Sequence, residues 1–365
     1  MTVIERTLDL ACAIQQIAAP TFAEQARAAF VRDQFVAAGL QDVASDDLGN
    51  VFGRRPGAGR ARPVLVTAHT DTVFPVETPL TLLRRPELIA GPGIGDNSVG
   101  VAGLFGLIWS LGDAPTEGDL WLAANVCEEG LGDLRGIRAV IDRLGETVAA
   151  TLVLEGMALG RVYHGGIGVR RYRISAEAEG GHSWLNFGRP SAIHRLARVA
   201  AALTKLEVPL NPRTTYNIGV IRGGTSVNTI ARSAELELDL RSEAPTALAA
   251  LARHVEAVVA DQQDTAAPLR IEVIGDRPSG AIPAEHALVQ VAVRALNRRG
   301  LAATLDIGST DANLPLSRGL PCVCIGLTTG ANAHRPDEYI DTAPLAQGLP
   351  VLVDTVLQTF AWARV

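Results

Sequence analysis

The run Val64-Leu65-Val66-Thr67-Ala68-His69-Thr70-Asp71-Thr72 decides how the chain is read. A short, partly β-branched apolar run stops at an imidazole and, two positions on, a carboxylate. Such runs predict buried strands of a parallel sheet, and open α/β sheets collect their ligands at the carboxyl ends of those strands. The pattern recurs. Gly93-Ile94-Gly95 precedes Asp96, Leu120 to Val126 leads to Glu128-Glu129, Val153-Leu154 ends at Glu155, and His334 lies near the C-terminus. Segments remote in sequence thus point to one place. Two imidazoles with three or four carboxylates suit a pair of borderline metal ions such as zinc, with one carboxylate left over for proton transfer.

A chain of 365 residues predicts two domains rather than one core. Its net charge of −6 offers no general attraction to phosphate backbones or anionic lipid, so neither nucleic acid nor a membrane is expected as a partner. Glu5 and Asp9 stand where a targeting segment would be basic, and the strongly apolar stretch from Val101 to Leu111 is too short to span a bilayer. A cytoplasmic protein is expected. The four cysteines are too scattered for a disulfide framework, and Cys322 and Cys324 fall on one face of an apolar strand, a core pattern. Lys205 is the only lysine and sits in an Ala/Leu helix pattern, which leaves Schiff-base chemistry without a residue.

Along the chain, Thr21-x-x-Glu24 reads as a capping box opening a helix that Gly39 closes. An α/β alternation follows, with strands near 63–68, 119–126 and 151–155 and helices near 98–111 and 133–144. From Arg171 the pattern becomes strand, helix, two strands, helix, strand, the βαββαβ order of a ferredoxin-like antiparallel domain. The α/β pattern resumes near residue 280, with a helix over Glu285 to Asn297 and strands near 302–307 and 321–325. The expected fold is therefore an α/β mixed sheet flanked by helices, residues 1–167 and 279–365, interrupted by an inserted lid and dimerisation domain, residues 168–278. Gly91-Pro92-Gly93-Ile94-Gly95 lacks both the Gly-Lys-Ser/Thr ending and the Gly-x-Gly-x-x-Gly spacing of phosphate loops, and predicts instead a tight turn presenting Asp96. No Gly-x-Ser-x-Gly elbow occurs, so serine hydrolysis has no scaffold.

The joint order of these motifs resembles the dizinc hydrolase family of glutamate carboxypeptidase, acetylornithine deacetylase, aminoacylase and the tripeptide aminopeptidases. His69-Thr70-Asp71-Thr72-Val73, Gly91 to Asn97 and Glu128-Glu129-Gly130 carry the likeness at the metal motifs. Gly180-Gly181-His182-Ser183, Gly223 to Asn228 and Asp239-Leu240-Arg241 carry it in the inserted domain. The resemblance implies two zinc ions per chain, with cobalt or manganese as alternative occupants. Asp96 would bridge them, His69 and Glu155 would complete one site, and Glu129 and His334 the other. Asp71 would orient His69. Glu128 is the carboxylate left over, and amide hydrolysis needs a base that takes a proton from water and passes it to the leaving nitrogen.

The resemblance further implies that His182 reaches the neighbouring subunit's site in a homodimer, and that Asn228, Arg241 and Arg277 hold a substrate carboxylate. The Gly308-Ser309-Thr310-Asp311 run would line the site. His164, His194, His254 and His286 have no comparable partners. Two departures bear on substrate: Asn97-Ser98-Val99-Gly100 replaces the more usual continuation, and Trp184 stands where a small residue is common. Glu155 favours the carboxypeptidase and deacylase branches. The expected function is metal-dependent hydrolysis of an amide bond in a small peptide or N-acyl amino acid. A tripeptide aminopeptidase is the alternative, and a non-catalytic metal- or peptide-binding protein the alternative from another class.

Overall fold

The computed structural model describes residues 1–364 and divides into two compact units. The first comprises Met1–Gly166 together with the chain from Gly280 onward, and the second comprises Ile167–Ser279.

The first unit is built on a nine-stranded mixed sheet. Its centre is four parallel strands, ordered Leu120–Asn125, Val64–His69, Ala150–Leu154 and Cys322–Ile325. Every residue of Val64–His69 is buried, because both faces are covered. Val64, Val66 and Ala68 join a core that includes Phe105, Leu104 and Val356, whereas Leu65 points to the opposite face with Phe52, Ile137 and Ile141. This is the period of two expected of a strand. Roughly 1.5–3 kcal/mol follows from burying each such side chain, so the strands cannot slip without exposing a whole face. In register, His69 lies beside Asn125 and Leu154 beside Ile325, so the parallel strands end together.

The run Ile94–Leu111 is long and apolar enough to cross a membrane by composition, yet 78% of it is buried inside the fold. Its helix Val99–Leu111 is an interior helix of this core, longer in apolar character than the Val101 to Leu111 stretch suggests. The helices Val3–Gln15 and Leu345–Trp362 contribute to the same core.

The Thr21 capping box does not form. The helix Gln25–Ala37 has Glu24 at its N-cap without a side-chain cap. Thr21 Oγ1 instead donates to Asp71, and Glu24 accepts from the Cys127 N–H. A long-range demand on both side chains outweighs a local one worth about 1 kcal/mol. The box that does form is Thr2 with Glu5, opening the first helix.

The second unit is an antiparallel sheet ordered Thr214–Gly223, Ser233–Ser242, Gly168–Glu177 and Leu269–Arg277. Tyr172, Ile174, Leu236 and Leu238 pack with Leu196, Val199 and Val255 of the helices Ala192–Leu203 and Pro245–Asp261. The alternate residues on the other face form ion pairs, Arg171 with Asp239 at 2.9 Å and Arg173 with Glu237 at 3.0 Å. The element and strand order are those of the expected ferredoxin-like arrangement. The last strand ends at Arg277, whose side chain is buried.

Candidate metal centre

Six side chains named from the sequence, five as metal ligands and one as a base, meet in the first unit at the ends of its parallel strands. His69 Nε2 lies 3.0 Å from Asp96 Oδ1 and 3.8 Å from Glu155 Oε2. His334 Nε2 lies 3.0 Å from Asp96 Oδ2 and 3.1 Å from Glu129 Oε1. Asp96 thus turns one oxygen to each imidazole. Ligand atoms of His69, Asp96 and Glu155 lie within 4.8 Å of one another, as do those of Asp96, Glu129 and His334, and those of His69, Glu128 and Glu129.

Each ligand is held by its backbone. Asp96 sits in an irregular turn, Ile94–Ser98, entered through Gly93 at φ +74°, with non-helical backbone at Asp96 and Asn97 themselves. Gly95 packs directly against the Met157 side chain, which a β-carbon there would displace. His334 has a left-handed backbone, φ +66°, as does Cys127 at φ +56° just ahead of the two glutamates. Strain of this kind costs of order 1–3 kcal/mol per residue and persists only where the surroundings over-determine it.

Two buried carboxylates supply that over-determination. Asp71 accepts the backbone N–H of Glu128 on one oxygen and that of Glu129 on the other, both at 2.9 Å, and takes the Thr21 hydroxyl as well. It also stands beside His69, the residue it was expected to orient. The His69 Nδ1 is 3.1 Å from the Asp71 main-chain oxygen and 3.6 Å from the carboxylate, so Asp71 faces the ring with both groups while its carboxylate also fixes the glutamates. Burial opposes ionisation of Asp71, but the His69 ring and the two N–H groups hold its pKa below the usual range. Arg27, 1% exposed, ties Thr70 O to Ile17 O beneath it, and burial lowers that guanidinium to about 10.

The second carboxylate is Glu338, which the sequence reading missed. It accepts the N–H groups of Gly95 at 2.7 Å, Asp96 at 2.8 Å and His334 at 3.3 Å, and burial pushes it up to about 7. The small sheet pairing Leu88–Ala90 with Tyr339–Asp341 brings Glu338 under the Asp96 turn. A polar side chain four residues beyond His334 was the one available signal. Asn125 was missed too. It bonds Thr67 at 2.5 Å and Asp311 at 2.7 Å, and its carbonyl accepts from Thr70, so it joins three segments near the site.

The donor set fits a pair of divalent ions. Burial raises Glu129 and Glu155 to about 7 each, and the charge of Asp96 adds to the effect. His334, held between Asp96 and Glu129, rises to about 10. Among the described residues, Asp96 Oδ1 is buried with no hydrogen-bond partner. Acidic oxygens crowded against two imidazoles, with one oxygen unsatisfied, suit shared cations better than shared protons.

The remaining candidates lie in the second unit. His182 is exposed and its Nδ1 accepts from the Trp184 N–H at 3.2 Å. The Asn228 carbonyl accepts the Ser183 N–H at 3.0 Å, while Arg241, 44% exposed, donates to Asp239 at 2.7 Å. Of the histidines without an assigned role, His164 bonds Ile282 O at 2.7 Å and His286 caps the helix Ala287–Arg298.

Residues 65–358 match the model of peptidase family M20/M25/M40. The chain belongs to that family. It is a metal-dependent hydrolase of amide or peptide bonds, which removes the non-catalytic alternative. Succinyl-diaminopimelate desuccinylase of Corynebacterium glutamicum is 28% identical over 295 residues, 78% of each chain. Acetylornithine deacetylase of Klebsiella pneumoniae is 29% identical over 154 residues, 41% of this chain and 39% of its own. A tripeptidase of Staphylococcus aureus superposes with a TM-score of 0.82 at 21% identity, covering 98% of this chain and 99% of its own. A dinuclear metal-binding M20 peptidase of Bacillus subtilis superposes at 0.70 with 16% identity, over 98% and 99%. The two structures share the fold of this family hydrolase.

Proposed function

We propose that this hydrolase cleaves an amide bond in a small substrate carrying a free carboxylate, an N-acyl amino acid or a short peptide, with Glu128 as general base. The observation that carries the reading is the double anchor on Asp71. With both N–H groups fixed on one carboxylate, the two glutamates are held side by side, their carboxylate oxygens within 4.8 Å of each other, and each takes a different partner. Glu129 turns to His334, and Glu128, 5% exposed, stays beside His69. His69, Asp96 and Glu155 would hold one ion, and Asp96, Glu129 and His334 the other, zinc by donor type with cobalt or manganese as substitutes. When bound, two such ions supply Lewis acidity to the scissile carbonyl and lower the pKa of water. Glu128 takes the proton from the attacking water and delivers it to the leaving nitrogen.

Arginine grips a carboxylate with two parallel donors, so Arg241, with Asn228 and Arg277, is our choice for the free carboxylate of the substrate. Relatives named desuccinylase and deacetylase favour an acyl group as the part removed. The strand Thr214–Gly223 is an edge strand exposed along most of its length, with Ile221 at 59%, which supports a homodimer through the second unit. In that dimer His182 would stabilise the oxyanion in its partner's site. The four unpaired cysteines support a cytoplasmic location.

A panel of N-acyl amino acids, dipeptides and tripeptides, assayed with zinc and with cobalt, tests the substrate class. Turnover confined to tripeptides cleaved at the amino end would replace this reading by an aminopeptidase. Mixing inactive His182→Ala chains with inactive Glu128→Gln chains should restore activity, since a mixed dimer contains one site with both residues. No recovery among subunits that demonstrably exchange would remove the role in trans.

A further inference from the structure

The second unit contains a cavity of about 630 Å³ against the first turns of the helix Ala192–Leu203. Arg195 lines it. That side chain is only 9% exposed, and its Nε and Nη2 are shut off from solvent without a hydrogen-bond partner among the described residues. The nearest acid, Asp264, has its Oδ2 3.9 Å from Nη1, beyond hydrogen-bond reach and on another edge of the guanidinium. Buried charged donors are ordinarily paired, so two open ones on one group call for an acceptor. Nε and Nη2 form one edge of the guanidinium and present two parallel N–H groups, the geometry that a carboxylate or phosphate meets with two oxygens.

The lining has the matching charge. Arg198 and His194 stand on the same helix turns, and Asp264 is the only acid on the wall. Arg189, also on the wall, is already paired with Glu179 at 2.8 Å. Phe187, 92% exposed, and Val227, fully exposed, add apolar surface. We propose that this cavity is a binding site for a small organic oxyanion, a carboxylate or phosphate ester with an apolar portion, gripped by Arg195 once its side chain turns the unpartnered edge, closed to solvent in this structure, into the cavity. The inference stands apart from the metal centre and from the substrate class proposed for it. A site for a small anion in the unit that carries His182 and Arg241 would let a metabolite act on the enzyme without occupying its metals.

The test is calorimetric titration of the metal-loaded protein with inorganic phosphate and, separately, with hexanoate. Wild type should bind at least one of them saturably, one per chain, and the one preferred identifies a phosphate or a carboxylate as the natural head group. Arg195→Leu should abolish that binding, and Arg195→Lys, which keeps the charge but loses the fork, should weaken it about tenfold. Asp264→Asn, at an exposed position, should tighten it. Metal content and kcat without the anion should stay unchanged in all three. If Arg195→Leu does not fold, Arg195→Lys and Asp264→Asn decide. Absence of binding to wild type, or binding indifferent to the substitutions as expected of an anion on the metals, would overturn the proposal. So would loss of dimer with small-anion binding intact, because a carboxylate of a second copy would then be the occupant.

Discussion

The two units treat their candidate residues differently. In the first, four of the six candidates, Glu128, Glu129, Asp96 and His334, are anchored by backbone hydrogen bonds to two buried carboxylates, Asp71 and Glu338, and His69, Glu128 and Glu129 are themselves buried. In the second, His182 and Arg241 stand in solvent on a two-residue strand and at a sheet end, each with a local partner. Metal binding needs ligand atoms fixed to a few tenths of an ångström, which only an over-determined backbone supplies. The carboxylate recognition proposed for the second unit tolerates side chains still free to choose partners. The proposed chemistry thus falls to the first unit and the proposed carboxylate recognition to the second.

The contrast predicts effects of graded size. Glu128→Gln should lose at least roughly a hundredfold in kcat while melting like wild type, as expected when a proton shuttle is removed from an intact scaffold. Near-normal turnover would remove Glu128 from the chemistry. Asp71→Ala should damage both fold and activity. Three hydrogen bonds to a buried carboxylate disappear and Arg27 loses its nearby countercharge, a cost of about 3 kcal/mol or more by chemical denaturation. A stability loss under about 1 kcal/mol would mean that the two glutamates hold their places without it.

Glu338→Ala should be milder in stability and selective in metal. Gly95, Asp96 and His334 lose their shared acceptor, so the ion between Asp96, Glu129 and His334 should leave first on titration with a chelator. Simultaneous loss of both ions would break the pairing of one anchor with one side of the site. Arg241→Ala should have the smallest effect, raising KM about tenfold for substrates with a free carboxylate, with kcat and Tm close to wild type. Esterified substrates should not distinguish the variant. An equal loss on both substrate types would take Arg241 out of carboxylate recognition.

The ligands were legible because each follows an apolar strand of readable length: His69 after Val64, Glu128 and Glu129 after Leu120, Glu155 after Ala150. The period of two in Gly168–Glu177 and Ser233–Ser242 likewise announced the second sheet. What carried no period stayed hidden. The strands Leu88–Ala90 and Tyr339–Asp341, three residues each, pair across the whole chain and position Glu338. Thr21 and Glu24 had the right spacing for a cap, but spacing reports only what is near in sequence. Asp71 was legible only as a partner of His69, its near neighbour in sequence. Its bonds to Glu128 and Glu129 close a gap of more than fifty residues, visible only once the strands are side by side.

The central claim is that neighbouring glutamates, fixed on one carboxylate, divide metal binding from proton transfer. Elemental analysis of purified wild type, Glu128→Gln and Glu129→Gln after reconstitution with zinc tests it most directly. Two ions per chain are expected for wild type and for Glu128→Gln, and fewer than two for Glu129→Gln. Two ions retained in Glu129→Gln, or lost in Glu128→Gln, would contradict the account.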